Sequence, residues 1–169
     1  KWLIYQCARR SRAWRDQAGE GVGISVNLSA RQFRSGEAAE SLASALRDSG
    51  ADPADLTMEL TETSLFEEPE EAAAELQRLS GLGARISMDD FGTGYSSLSH
   101  LHRFVLDEIK IDRLFIEELD AKHEDRVIVQ SLVTIARGLG LSLVAEGVER
   151  PAALRLLWDM GCRGFQGFL

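Results

Sequence analysis

Short apolar runs of strand length alternate along this chain with longer segments whose apolar positions recur at helical spacing. Residues 2–17 read as an amphipathic helix with Leu3, Cys7 and Trp14 toward its apolar side, and residues 23–29 as a short β run. A second helix fits 37–48, stopped by Gly50 and Pro53. Residues 56–62 read as a strand and its exit loop. Pro69 then opens a helix of good helix formers that ends at Gly81 and Gly83. The run 84–88 is a strand closed by Asp89 and Asp90, 96–103 suits a short helix, and 106–112 suits another strand. The longest helix is predicted over 124–139, with Val127, Ile128, Leu132, Ile135 and Leu139 on one stripe and Gly140 behind it. Residues 141–145 return to strand, Pro151 starts a last helix that stops at Gly161, and 164–168 is the final strand.

Regular alternation of strand and helix is the signature of βα units around a parallel sheet. With about six strands, the fold class is α/β, and the pattern alone admits both a doubly wound sheet and a (β/α)8 barrel. In either, chemistry sits at the carboxyl ends of the strands. Asn27, Glu59, Asp89 with Asp90, Lys110, Glu146 and Gln166 each follow an apolar run on a different strand. A barrel gathers all its strand ends at one mouth, whereas an open sheet spreads them along an edge. That convergence favours the barrel.

The Asp89–Asp90 pair carries the clearest chemical signal. Successive side chains of a strand face opposite ways, so both carboxylates share one space only if the chain turns there, and Gly92 and Gly94 permit a turn. Hard divalent cations take oxygen ligands, and two of them held close together need a shared carboxylate. The ordinary alternative is an acidic turn or helix cap beside glycines.

Composition narrows the partners. With 169 residues, 44% hydrophobic and 27% charged, the chain is one soluble domain or a piece of one. A net charge of −8 disfavours sequence-independent DNA binding, although metal ions could still bring in a phosphate-rich small molecule. No apolar run approaches the roughly 20 residues that a bilayer requires, so no direct membrane insertion is expected of this segment and the cytoplasm is the default. Cys7 and Cys162 read as small buried hydrophobes. His100, His102 and His123 lack ligand spacing and read as solvated or capping residues. Arg9, Arg10, Arg12 and Arg15 read as a wet helix face, and Glu67, Glu68, Glu70 and Glu71 as a solvated helix start favoured by the helix dipole.

Seven short segments carry a family resemblance. Val26-Asn27-Leu28-Ser29 is followed by Arg31-Gln32-Phe33, Glu59-Leu60-Thr61-Glu62 and the run from Asp89 through Leu98. Ile109-Lys110-Ile111-Asp112, Ala145-Glu146-Gly147-Val148-Glu149 and Gly164-Phe165-Gln166-Gly167-Phe168 complete the series. In this order they resemble the motifs of EAL domains, the bacterial cyclic di-GMP phosphodiesterases. The resemblance covers essentially the whole chain. It implies a modified (β/α)8 TIM barrel that hydrolyses cyclic di-GMP to linear pGpG with Mg²⁺ or Mn²⁺, two ions per site.

Carried over by position, Asn27, Glu59 and Asp89 would ligate one metal, and Asp89 would bridge to a second held by Asp90. Glu146 resembles the glutamate that supports the metal and water site, sometimes assigned as general base. Lys110 resembles the lysine beside the attacking water, and Gln166 a residue orienting water or nucleotide. Glu62, Glu149 and Thr93 resemble anchors of the loop that follows Asp90, which in this family couples the metal site to dimerisation. Ser29 and Asp112 are candidate substrate contacts. The structural alternatives are a Lys110–Glu146 ion pair, an Asn27 turn cap, and Asp112 capping a helix near Arg113.

The resemblance also has a gap. The Glu-Ala-Leu segment that names the family, whose glutamate is another metal ligand, is absent, and Lys1 opens in the helix that normally follows it. The expectation is an incomplete barrel with about six of eight strands, cut at its N-terminus and just after its last strand, from a longer protein carrying sensory or diguanylate cyclase domains, with a membrane anchor elsewhere in that protein compatible with this reading. Residues 104–106 precede Asp107 where the family usually has a proline, a change expected to alter a loop entry rather than the chemistry. Open edges favour pairing with a second copy, so a homodimer is expected. The competing classes are a non-catalytic cyclic di-GMP receptor or scaffold and, more remotely, a metal-dependent lyase or racemase on an enolase-like barrel.

Overall fold

Six strands form one parallel sheet in the computed structural model, which describes residues 1–93 and 101–169. They are β1 (Ile24–Asn27), β2 (Leu56–Thr61), β3 (Arg85–Phe91), β4 (Glu108–Ile111), β5 (Ser142–Ala145) and β6 (Gly164–Phe165). Each pairs with its successor in sequence, in the order β1-β2-β3-β4-β5-β6. A doubly wound sheet reverses its strand order at a switch point. A sheet that adds every new strand on the same side instead curls toward a barrel. Strand order therefore decides between the two architectures, and these strands form a curled parallel half-barrel.

The connecting helices are α1 (Trp2–Ala18), α2 (Ala30–Arg34), α3 (Glu37–Ser49), α4 (Glu62–Phe66), α5 (Pro69–Gly81), α6 (His123–Leu139) and α7 (Pro151–Met160). Val26, Met58, Ile86, Met88, Ile109 and Ile111 are fully buried on the strands, in one core with Leu42 and Ala45 of α3 and Leu76 and Leu79 of α5. Burying each large side chain contributes roughly 1.5–3 kcal/mol. The alternate strand positions are polar: Glu59, Ser87 and Lys110 are buried among them. Below Lys110, Glu108 accepts hydrogen bonds from Ser87 Oγ (3.0 Å) and Ser142 Oγ (3.3 Å), which ties three adjacent strands together.

Two helices bury a different face from the one their largest residues suggest. In α1 the buried positions are Ile4, Ala8 and Ser11, while Leu3 is 48% and Trp14 40% exposed. Small Ala8 and Ser11 let α1 approach closely, and Ser11 Oγ donates to Asp55 Oδ2 at 3.3 Å. In α6 the buried stripe is Val129, Leu132, Val133 and Ala136. Of the expected stripe only Leu132 is buried; Ile135 is partly buried, and Val127, Ile128 and Leu139 face outward. Cys162 is buried as expected, whereas Cys7 is half-buried.

Two short helices escape the hydrophobic pattern. Ser29 Oγ accepts from Gln32 N–H (3.3 Å) to cap α2, and Thr61 Oγ1 accepts from Ser64 N–H (3.4 Å) to cap α4. Both follow a strand directly and fold over the carboxyl end of the sheet. A five-residue helix is too short to display a period, so only the cap betrays it. At the other end of the chain β6 is shorter than 164–168, and Phe168 is exposed. The entry to β4 is fixed by Asp107, whose carboxylate accepts from Ile86 N–H at 2.8 Å. The helix expected over 96–103 falls largely outside the described residues.

Candidate active site

Strand pairing brings the candidate residues to one end of the sheet. Asn27 lies level with Glu59, and Thr61 with Asp89. Between β3 and β4 the register shifts: Met88 faces Ile109, but Phe91 faces Ile111. Asp89 and Asp90 together therefore stand opposite Lys110 alone, which is a β-bulge. Asp90 adopts φ 56°, the only positive φ at a non-glycine position among the described residues. Aspartate tolerates this left-handed conformation better than bulkier residues do. The bulge, rather than the glycines beyond it, lets consecutive carboxylates share one space. Gly92, at φ 98°, then turns the chain away, where a side chain would press on the Phe115 ring.

The bulge is held from several directions. Asp89 Oδ1 accepts from Asp90 N–H at 3.0 Å, and Thr93 Oγ1 donates to the Asp90 carbonyl at 2.9 Å. Buried Glu62, the first residue of α4, accepts from Gly92 N–H at 2.9 Å. Glu149 is exposed and lines a hollow with Arg113, Glu117, Glu146 and Gln166, and it makes no hydrogen bond to residues 91–93, the described part of the loop that follows Asp90.

Lys110 lies at the centre. Its Nζ is 2.5 Å from Glu146 Oε1, 3.3 Å from Glu59 Oε1 and 3.6 Å from Asp89 Oδ1, with its side chain 6% exposed. Burial opposes the ammonium charge, but the hydrogen bond to Glu146 and the charges of Asp89 and Glu59 outweigh it and hold the group above the ordinary lysine range. Asp90 is also shifted upward, which for a carboxylate disfavours the charged form. Burial, the charge of Asp89 and a hydrogen bond shared with Asp112 push it up to about 6. Asp112 also accepts from Leu114 N–H at 2.7 Å, capping the turn Arg113–Phe115, so the capping alternative describes its backbone contact.

Oxygen atoms of Asp89, Asp90 and Glu146 all lie within 4.8 Å of one another. An all-oxygen, anionic donor set of this kind fits a hard divalent cation. Glu146 is positioned by its own N–H donating to the Ile111 carbonyl, and Gln166 by its N–H donating to Ala145 and its carbonyl accepting from Val148 N–H. Gly167 follows because a Cβ there would meet the Val148 carbonyl at 2.2 Å. Asn27 and Ser29 are exposed at the end of β1, and Ser29 is engaged with Gln32. The structure thus gathers Glu59, Asp89, Asp90, Lys110, Asp112 and Glu146 in mutual contact or within one turn, with Asn27 on the flank beyond Glu59 and Gln166 on the flank beyond Glu146.

Sequence reasoning does not single out Arg113. It lines the hollow beside Glu146 and Gln166, and its guanidinium lies 3.6 Å from Glu117. Its position just past the Lys110–Asp112 strand end is the signal that points to it.

The EAL domain family model matches residues 1–169. Over 169 residues the chain is 41% identical to the bifunctional diguanylate cyclase/cyclic di-GMP phosphodiesterase MucR of Pseudomonas aeruginosa and 37% identical to the cyclic di-GMP phosphodiesterase PdeR of Escherichia coli. Each alignment covers 100% of this chain and 25% of the relative. The solved complex of PaMucR phosphodiesterase with c-di-GMP matches with a TM-score of 0.94 at 40% identity, over 98% of this chain and 67% of that one. The chain thus spans about a quarter of the length of these curated relatives.

Proposed function

Because the chain belongs to the EAL-domain family, we propose that it builds the hydrolytic centre of a metal-dependent cyclic di-GMP phosphodiesterase, which opens one phosphodiester of the cyclic dinucleotide to give linear pGpG. The observation that carries this reading is the gathering of Glu59, Asp89, Glu146 and Lys110, from four strands and their ends, around one point. Asp89, Asp90 and Glu146, with Glu59 and Asn27 from neighbouring strands, would hold two divalent ions, Mg²⁺ or Mn²⁺. Such ions lower the pKa of bound water and neutralise phosphodiester charge.

The chain's own groups divide the remaining work. Glu146 accepts the proton of the attacking water, whose oxygen bonds to phosphorus as the bond to the 3′ oxygen breaks, and the 3′ oxygen leaves as a hydroxyl after taking a proton from solvent. Lys110 stabilises the negative charge that gathers on the phosphoryl group. Gln166 orients water or nucleotide, and Ser29 and Asp112 contact the substrate. Glu62 and Thr93 fix the turn after Asp90, and Glu149 lines the hollow beside Glu146 and Gln166.

MucR couples a diguanylate cyclase to a phosphodiesterase, which supports attached cyclase or sensory domains here. A cytoplasmic placement of this segment belongs to the same proposal, and no helix among the described residues is long and apolar enough to cross a membrane. The outward apolar flank of α6 supports a homodimer. The deciding assay is conversion of cyclic di-GMP by the full-length protein with Mg²⁺ or Mn²⁺. Wild type should release pGpG, and Asp89→Asn should release none while keeping its circular dichroism spectrum. Turnover by the variant, or nucleotide binding without pGpG by wild type, would refute the reading.

A further inference from the structure

We propose that Lys110 is the resident cation of the metal-free site: its ammonium holds Glu59, Asp89 and Glu146 together, and divalent ions bind by displacing it. This inference rests on the metal-dependent reading above and adds a role for Lys110 before any ion arrives. Three strands and the end of a fourth converge here, and their carboxylates would face one another across a poorly solvated space. Lys110 touches all three at once and is buried, so its charge serves the site and not the solvent. Arg113, the nearest cationic neighbour along the chain, is exposed and paired with Glu117. Removing one partner from a buried charge cluster leaves the others uncompensated.

A divalent ion among the same oxygens supplies more charge than the ammonium, so the two compete for one set of ligands. Lys110 therefore stabilises the metal-free fold and lowers metal affinity by the same interaction. A lysine that merely fills space would stabilise both forms equally. The displaced form also places a loosened ammonium beside the phosphoryl group, where the proposed reaction uses it.

The test is Mn²⁺ binding, by calorimetry, to the full-length protein stripped with EDTA, combined with thermal melts of the metal-free and Mn²⁺-loaded forms. Lys110→Met should bind Mn²⁺ at least about tenfold more tightly than wild type, because the competing charge is gone. Its melting temperature should fall in EDTA and return to the wild-type value with Mn²⁺. Lys110→Arg, which keeps the charge, should stay near wild type in both measurements. Lys110→Gln keeps polar contact with the carboxylates and gives the same affinity comparison should the methionine variant fail to fold. Equal or weaker Mn²⁺ binding by the neutral variants, with wild type binding normally, overturns the displacement model and leaves the metal site standing. Absence of Mn²⁺ binding by wild type overturns both.

Discussion

At Asp90 a backbone constraint and a chemical one coincide. The residue must supply a carboxylate, and it must also hold φ 56° so that the bulge aims that carboxylate alongside Asp89. Asparagine satisfies the second demand and not the first, whereas a β-branched residue satisfies neither. Asp90→Val should therefore be less stable than Asp90→Asn by about 1–2 kcal/mol, measured by urea denaturation in EDTA. Both substitutions remove the same charge, so the comparison isolates the backbone. Equal stabilities would mean that the left-handed conformation imposes no cost. The adjacency of Asp89 and Asp90 is visible in the sequence, but the bulge that reconciles them is not. It depends on the partner strand: β4 offers Lys110 alone against two residues of β3.

Among the elements, α1 shows how a polar tie decides which face a helix buries. Arg15 donates to both carboxylate oxygens of Asp55, at 2.9 and 2.7 Å, beside the Ser11 hydroxyl. Asp55 sits in the 3-10 turn Pro53–Asp55 that leads into β2, so the cluster docks α1 at the base of the Glu59 strand. The Arg15 hydrogen bonds hold the Asp55 carboxyl below its ordinary range despite its burial. A folded-state pKa below the unfolded value means that the unfolded chain binds the proton more readily. The contribution is then fully present above the unfolded value of about 3.9 and is lost as pH falls through the folded value. Wild type should lose stability on acidification below about pH 4 more steeply than Asp55→Asn, in melts run across that range. Parallel pH profiles would show that the pair carries no linkage. The sequence marks Arg15 only as part of a basic face, because its partner is 40 residues away.

At the scale of the whole molecule, the proposed homodimer rests on the outward side of α6. Val127, Ile128 and Leu139 are exposed, and Ile135 and Leu139 line a hollow with Leu101 and His102. An apolar stripe left uncovered after the opposite stripe is buried is the expected signature of an interface. If the proposed homodimer uses this face, the double substitution Ile128→Asp with Leu139→Asp should shift the full-length protein from dimer to monomer in sedimentation velocity, with its melting temperature little changed. An unaltered sedimentation coefficient would remove this face from the dimer.

The sequence by itself determined the alternation of strand and helix, most element positions and the identity of the residues at the strand ends. Those follow from local periodicity, from glycine and proline, and from polar letters that close apolar runs. Tertiary structure decided what depends on partners distant in sequence. The serial strand order selected a curling sheet over a doubly wound one, and inter-helix packing selected Ile4–Ala8–Ser11 over Leu3 and Trp14. Register with β4 created the Asp89–Asp90 bulge, and the meeting of four strands at one end set three carboxylates around Lys110. Local sequence can specify a side chain and its strand, but the charge environment of that side chain is a sum over neighbours that only the folded chain brings within reach.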